Sequence, residues 1–444
     1  MNIIAVDCGA SFIKAAKICN GAILRCLEEK SPVVHGSEDI LAPIQINLLI
    51  PIIKDIILDL IEDDEEITLC LSNEMHGFLL AYKNTVPFTD YISWQKEYGN
   101  EKLKSGFTAM QEIERIVDRD EILYSGMPLR AGLPSTNLRY LFQKSYLDKE
   151  RDNLYFYTLG DYIIKCLSGI EPICHPTNAA ATGLFDLRIN DWNKKYIKDI
   201  GGEKIVFPII GNEKIVFRLE GKIVNVLPAI GDQQAALLGA GLNKMNMLSF
   251  NLGTGAQVSK LVSKLVCSSE YQIRPYFNGK YLVTIPHIPS GRALNVYIRF
   301  FINILDEFEV SVDENILWEK LLGLSERSHG SDIVCDMSFF ENAITTHTSG
   351  GIKNIREFSL TLGNLIYAIF ESMAKNFLWA AKTIEAENNR VDTIVFSGGV
   401  ARKIKLIRDI ILKDYPNSNV IIAENETLLG LYYYAVNFKN KIFI

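Results

Sequence analysis

Two segments, one at the start of the chain and one near its middle, repeat a single design: an apolar strand, a tight turn of small residues, and a returning strand. The first reads NIIAVD, CGAS and FIKAAKI; the second reads MLSFN, LGTGA and QVSKLV. Laid over each other, they match Asp7 with Asn251, Gly9 with Gly253 and Ser11 with Gly255. A chain that makes this hairpin twice points to two copies of one strand-led domain. Length agrees, since 444 residues exceed the roughly 250 to 300 that one core usually supports. The boundary is expected near Leu227, giving domains 1–227 and 228–444, with hairpin material over Asn212 to Val226 and Pro228 leading into GDQQAALLGAG.

Between the hairpins, strands alternate with helices, so the fold class is α/β. A helix is expected from Ile44 to Ile61 and a strand from Ile67 to Leu71, ending in polar Ser72, Asn73 and Glu74. In the second half we expect a strand from Tyr281 to Pro286, helices from Ala293 to Leu305 and Phe358 to Ala386, and a loop-rich stretch from Ser325 to Asn354. The strand DTIVF then turns through SGGVARKIKLIRDII into a last helix.

Composition excludes several classes. Lys+Arg 46 against Asp+Glu 53 leaves a net charge of -7, the wrong sign for a protein that neutralises a nucleic-acid backbone. Eight cysteines are scattered without a C-x-x-C pair, which reads as reduced core thiols in a cytoplasmic protein. The opening MNIIAVDCGAS lacks a basic region and does not read as a secretory signal. The greasiest tract, Leu41 to Ile61, carries Gln45, Asn47, Pro51, Lys54 and Asp55, so an amphipathic helix is expected there and no membrane partner.

Glycine-rich turns between strands present successive backbone N–H groups to an anion, because a missing Cβ permits both the dihedrals and the close approach. Three occur: Asp7-Cys8-Gly9-Ala10-Ser11, Leu252-Gly253-Thr254-Gly255 and Ser397-Gly398-Gly399. Each alone is an ordinary turn, but two hairpins of matching design can hold a polyphosphate between them. No G-x-x-x-x-G-K-[ST] run exists, so this is not a P-loop chain. Asp7 closes a buried strand, where a magnesium ion met through water or an Asx-type turn accounts for it. Lys14 reads as a phosphate contact or a solvated strand lysine. Asp232, at the head of a helix of small apolar residues, is a helix cap or a base that accepts a proton from an alcohol attacking phosphorus. His76 and Trp94 lie on loops at strand ends, as sugar contacts or satisfied core residues.

Taken in this order, the segments resemble the FGGY family of carbohydrate kinases, within the actin, sugar kinase and Hsp70 fold. AVDCGASFIKAA is similar to its first phosphate hairpin, SNEMHGFLLAYKN and ISWQ to its sugar-site region, and GDYIIKCLSG with HPTNAAATGLFDLRINDW to its central signature. GDQQAALLGAG resembles the segment carrying the catalytic aspartate, FNLGTGAQVS the second phosphate hairpin, and VFSGGVARK the adenosine turn. The resemblance implies two actin-like, ribonuclease H-like domains flanking a deep cleft, with sugar bound mainly by the first and ATP with Mg2+ by the second. It assigns Asp232 as general base; Met75, His76, Trp94, Asp232 and Gln233 to the sugar; and Gly9, Ser11, Lys14, Gly253, Thr254, Gly398 and Gly399 to nucleotide and phosphate. Asp7 falls to the metal, through water. Lys96-Glu97, Arg402 and Lys403 depart from the family pattern. RPYFNGKYLV, Ser290-Gly291-Arg292-Ala293 and SGGIKNI look more like the sedoheptulokinase branch than like glycerol kinases, which makes a ketose such as sedoheptulose the expected sugar, with xylulose, gluconate or glycerol as alternatives. A homodimer is one expected assembly, and a sensor that binds sugar and nucleotide without catalysis is the rival from another class.

Overall fold

A computed structural model describes residues 2–32, 39–147, 151–253, 255–328, 332–385, 390–424 and 426–440. The chain forms two compact units. The first comprises Met1–Gly239, Ser263–Tyr281 and Asn425–Ile444, and the second comprises Ala240–Val262 and Leu282–Glu424. The chain thus leaves the first unit twelve residues after Leu227 and returns to it twice.

The reason lies in two helices of the first unit. Helix Asp232–Gly239 packs on helix Glu426–Lys439 through facing glycines. A Cβ at Gly239 would lie 1.7 Å from the Glu426 carbonyl oxygen, and one at Gly430 would lie 1.8 Å from that of Ala235. No side chain fits there, so the two backbones meet directly.

In the first unit, β1 (Asn2–Cys8) pairs antiparallel with β2 (Phe12–Cys19), which pairs with β3 (Ala22–Lys30). After helix α1 (Ile44–Ile61), β4 (Glu66–Asn73) lies parallel to β1 on its other side. Strand Lys222–Val226 and the short Ile230–Gly231 both run parallel to β4. Because side chains alternate across a strand, Ile4, Val6, Leu69 and Leu71 face one way, into a core with Ile46, Leu49, Ile53, Ile57 and Leu60 of α1. Those α1 residues recur every three or four positions, and this stripe holds the helix despite Pro51 inside it. Asp7 and Ser72 alternate onto the opposite face.

The second unit repeats the arrangement. Strand Met247–Asn251 pairs antiparallel with Gln257–Val262 and parallel with Thr393–Ser397, which is followed by a parallel edge strand, Asn419–Ile422. Asn251 registers on Ser397 as Asp7 registers on Ser72, so the internal likeness of the sequence is carried into the hydrogen-bond register. Helix Leu362–Ile384 covers this sheet with Leu365, Ile366, Ile369, Phe370, Met373 and Phe377.

Several expected elements differ at their ends. The long helix starts at Leu362, where Thr361 caps it by accepting from the Asn364 N–H, four residues later than the apolar pattern alone suggests. Helix Gly291–Glu307 runs two residues further at each end. The stretch expected to be loop from Ser325 begins inside helix Glu314–Arg327 and holds two short paired strands, Val334–Asp336 and Gly351–Lys353. The last expected helix breaks at Ile404 into Gly399–Lys403 and Lys405–Leu412. The thiols are all free, but only Cys8, Cys70, Cys174 and Cys335 are core residues. Cys26, on the edge strand β3, is exposed, and Cys19, Cys166 and Cys267 are half-buried. Among the described residues no helix is long and apolar enough to cross a membrane.

Candidate active site

Three parallel strands of the first unit end side by side, and their carboxyl ends carry the acidic residues. Asp7 registers on Ser72 and Cys8 on Asn73, while Ile230 registers on Ser72 and Gly231 on Asn73. One step further along each strand puts Glu74 beside Asp232, with Asp7 on the neighbouring strand. The edge beyond the carboxyl ends of parallel strands is where open α/β sheets bind ligands.

The central signature of the sequence holds these ends in place. Asn178 Nδ2 donates to Asn73 Oδ1 at 2.9 Å and to the Ala229 carbonyl at 2.8 Å, and the Gly231 N–H donates to Thr177 Oγ1 at 3.2 Å. A Cβ at Gly160 would lie 2.3 Å from Ala229 Cβ and 2.5 Å from Asn73 Oδ1. Thus GDYIIKCLSG and HPTNAA act on the site by fixing the strands that deliver it. His175 of that signature is buried and neutral, its imidazole pushed down to about 3 by desolvation.

Burial and mutual repulsion govern the acids. Asp7 accepts from Ser72 Oγ at 2.7 Å; desolvation nevertheless raises it to about 6, against the opposing pull of Ser72 and Lys14. Asp232 accepts from its neighbour's N–H, Gln233, at 2.7 Å; desolvation first and the charge of Asp7 second raise it to about 7. Glu74 is 4% exposed, and desolvation followed by the proximity of Asp232 brings it to about 7, although Tyr91, Ser93 and Trp94 stand close enough to favour its charge. Carboxyls so placed near neutrality are matched to accepting a proton at physiological pH.

The sugar-site residues named from the sequence surround this edge. His76 adopts a left-handed backbone (φ 66), a rare state for a residue with a Cβ. Its neighbour Gly77 has no room for a side chain, since a Cβ would sit 2.0 Å from the Tyr91 hydroxyl oxygen. His76 Nδ1 donates to the Ala181 carbonyl at 2.7 Å, which fixes the tautomer and leaves Nε2 as an acceptor. Arg274 Nη2 donates to that Nε2 at 3.3 Å, while Nη1 donates to Met75 Sδ at 3.4 Å and to Gln233 Oε1. Arg274, from strand Gln272–Pro275, therefore ties Met75, His76 and Gln233 together. Trp94 is 41% exposed, with its backbone docked where a Cβ on Gly132 would meet its carbonyl oxygen at 2.0 Å. Lys96 holds this loop through its carbonyl, which accepts from Asn137 Nδ2 at 2.8 Å, and Glu97 accepts from Asn100 at 3.1 Å.

Of the other expected residues in this unit, Gly9 shapes the first hairpin turn, its N–H donating to the Phe12 carbonyl at 3.1 Å, and Ser11 is exposed at the tip. Lys14 lies opposite Asp7 in the register and forms an ion pair with Glu28 at 3.2 Å, half exposed. Glu74 and Arg274 were missed as site residues. The sequence signals were slight: Glu74 closes the polar end of ITLCLSNE, and Arg274 stands between Ile273 and Pro275 in YQIRP.

In the second unit, the Gly253 turn and the Ser397-Gly398-Gly399 turn come together. Gly398 is left-handed (φ 86), and a Cβ on it would lie 2.6 Å from the Leu252 carbonyl carbon. The Val400 N–H donates to the Leu252 carbonyl at 3.0 Å. Gly291, the first residue of helix Gly291–Glu307, approaches the same place, 3.4 Å from the Gly253 oxygen when a Cβ is built on it. Gly399 faces open space. Glycines from three separate segments thus meet at one place. Thr254 lies outside the described residues. Arg402, one of the departures from the family pattern, donates from Nη1 to the Ala423 carbonyl at 3.5 Å.

Residues 2–239 match the model of the FGGY family of carbohydrate kinases, N-terminal domain. The chain belongs to the FGGY family of carbohydrate kinases. An uncharacterized sugar kinase of Archaeoglobus fulgidus is 24% identical over 260 residues, which are 57% of this chain and 50% of that protein. The chain thus spans about half the length of this curated relative. Two solved structures share the fold across nearly all of this FGGY protein. A ligand-bound xylulose kinase from Lactobacillus acidophilus has a TM-score of 0.83 at 16% identity, covering 99% of this chain and 90% of the other. A gluconate kinase from the same organism has a TM-score of 0.80 at 17% identity, covering 99% and 89%. The α/β, actin-like architecture expected of an FGGY chain is the one observed.

Proposed function

We propose that this FGGY protein transfers the γ-phosphoryl group of ATP to a hydroxyl of a sugar held in the first unit. The observation that supports this best is Asp232, brought by the Ile230–Gly231 register to the end of the sheet beside Glu74, with its acidity shifted close to neutral. In the proposed reaction the Asp232 carboxylate accepts the hydroxyl proton as the sugar oxygen forms its bond to the γ-phosphorus. The bond from that phosphorus to the bridging oxygen breaks, and ADP leaves with the electron pair. Positioning and electrostatics carry most of such a transfer.

Met75, His76, Trp94 and Gln233 are proposed to hold the sugar, the exposed indole offering its face and the imidazole tied in one tautomer by Ala181. The meeting glycine turns of the second unit, with Gly253, Gly398 and Gly399, are proposed to hold the nucleotide phosphates on backbone N–H groups. Gly9, Ser11 and Lys14 are proposed as further phosphate contacts from the first hairpin. Asp7 suits a magnesium ion brought by the nucleotide and met through water. One of its oxygens is held by Ser72, and desolvation outweighs Ser72 and Lys14 and raises it to about 6, so a cation there relieves a buried charge. The ion would neutralise phosphate charge. The finer reading, a ketose such as sedoheptulose, rests on the likeness of RPYFNGKYLV and SGGIKNI to that branch, with xylulose, gluconate and glycerol as alternatives.

A coupled assay for ADP release over pentuloses, heptuloses, aldonates and polyols tests the proposal. We expect sugar-dependent release that needs Mg2+ and is abolished in D232N. Sugar binding with no ADP release from any compound would overturn it in favour of a sensor.

A further inference from the structure

We infer that the sugar pocket of the first unit is built for a carboxylate-bearing sugar, with Arg274 receiving the acid group while Asp232 serves the hydroxyl. This rests on the kinase reading and selects among its substrates, favouring an aldonate over a neutral ketose.

Arg274 is 3% exposed, and every acceptor hydrogen-bonded to it is neutral: Gln233 Oε1, Gln272 Oε1, His76 Nε2 and Met75 Sδ. The His76 ring offers only a lone pair, because its proton is committed to Ala181. Among the described residues no carboxylate forms an ion pair with Arg274, and its Nε has no hydrogen-bond partner. Asp232 lies within electrostatic range, but its Oδ1 already accepts from Gln233, and as the base it must stay available to the substrate. A second guanidinium, Arg130, stands near enough to depress Arg274 to about 9, together with the larger effect of burial.

Burying a guanidinium among neutral acceptors beside another guanidinium is unfavourable, and sites of that kind are completed by an anion. A guanidinium edge matches a carboxylate in a way that a single hydroxyl does not. The residues joined by Arg274, namely Met75, His76 and Gln233, are those expected to line the sugar, so the anion belongs to the sugar. Three carboxyls at the strand ends, Asp7, Glu74 and Asp232, confine that anion to the Arg274 side and orient the substrate with its hydroxyl end toward Asp232.

The test compares matched pairs that differ in the oxidation state of one carbon: gluconate with glucitol, and xylonate with xylitol, together with xylulose and sedoheptulose as neutral ketoses. ADP release and calorimetric binding are both measured on the intact wild-type protein. We expect kcat/KM and affinity for the acid to exceed those for its alcohol by about 10- to 100-fold, as for a charged hydrogen-bonded contact. In R274M the preference should vanish, and R274K should recover part of it. The wild-type comparison holds even if a variant misfolds. An alcohol or ketose used as well as the acids would overturn the inference while leaving the kinase reading intact. Arg274-dependent binding of the acids without ADP release would uphold the inference and refute the kinase reading. Absence of acid binding would overturn the inference.

Discussion

Replacing Asp232 with Asn should make the protein inactive and more stable. Asp232 moves from an ordinary value of 3.8 to about 7 in the fold, mainly because it loses water and secondarily because Asp7 is near. Three units at about 1.4 kcal/mol each set a ceiling of ~4 kcal/mol on the cost of its charge. Asp7 and Glu74 share that field and relax when one charge is removed, so roughly 2 kcal/mol is the realistic gain. A carboxyl whose folded value is raised contributes stability below its unfolded value and loses it as pH climbs to the folded one. The gain from D232N should therefore be small near pH 4, grow through pH 4 to 7, and level off above about 7. With roughly 2–4 °C per kcal/mol for a unit of this size, melting at pH 8 should rise by about 4–8 °C. The Asn amide oxygen still accepts from the Gln233 N–H, so the helix start is preserved. Differential scanning calorimetry across this pH range reads the effect, alongside ADP release, which should fall at least ~100-fold. Equal melting of the two proteins at pH 8, or an increment independent of pH, would refute the claim that this acid is held charged at a cost.

Further outcomes follow from other parts of the molecule. The proposed base, Asp232, must be deprotonated to act, so kcat/KM should decline below about pH 7, tenfold per unit on the acid limb of a pH–rate profile. Gly77→Ala would press a methyl into the Tyr91 hydroxyl and should lower stability by about 1–3 kcal/mol while raising KM for sugar, measured by urea unfolding and steady-state kinetics. Gly398→Ala would impose both a left-handed backbone and a clash with Leu252; calorimetric titration should show weakened nucleotide binding with sugar binding kept.

Much of the fold was legible because it is written in local periodicity. Helix Ile44–Ile61 and strand Tyr281–Pro286 appear within the bounds that their apolar patterns indicate, and both hairpins form where small residues interrupt alternating runs. The glycine turns were legible for the same reason. The site itself is assembled by register between strands far apart in sequence. Nothing near Glu74 states that it will stand beside Asp232, and nothing near Arg274 states that it will meet His76. Those neighbours arise from parallel pairing and from Asn178 pinning Asn73 to Ala229, which no local pattern reports. The extent of the first unit was hidden likewise, because the glycine contact between residues 239 and 430 joins segments with no common motif.

That glycine contact bears on the order of synthesis. A ribosome delivers the sheet of the first unit early, yet the helix that begins with Asp232 cannot settle against its partner until residue 430 has emerged, after the whole second unit. The unit that is started first is therefore completed last. A nascent chain stalled before that point would expose an unfinished face to chaperones.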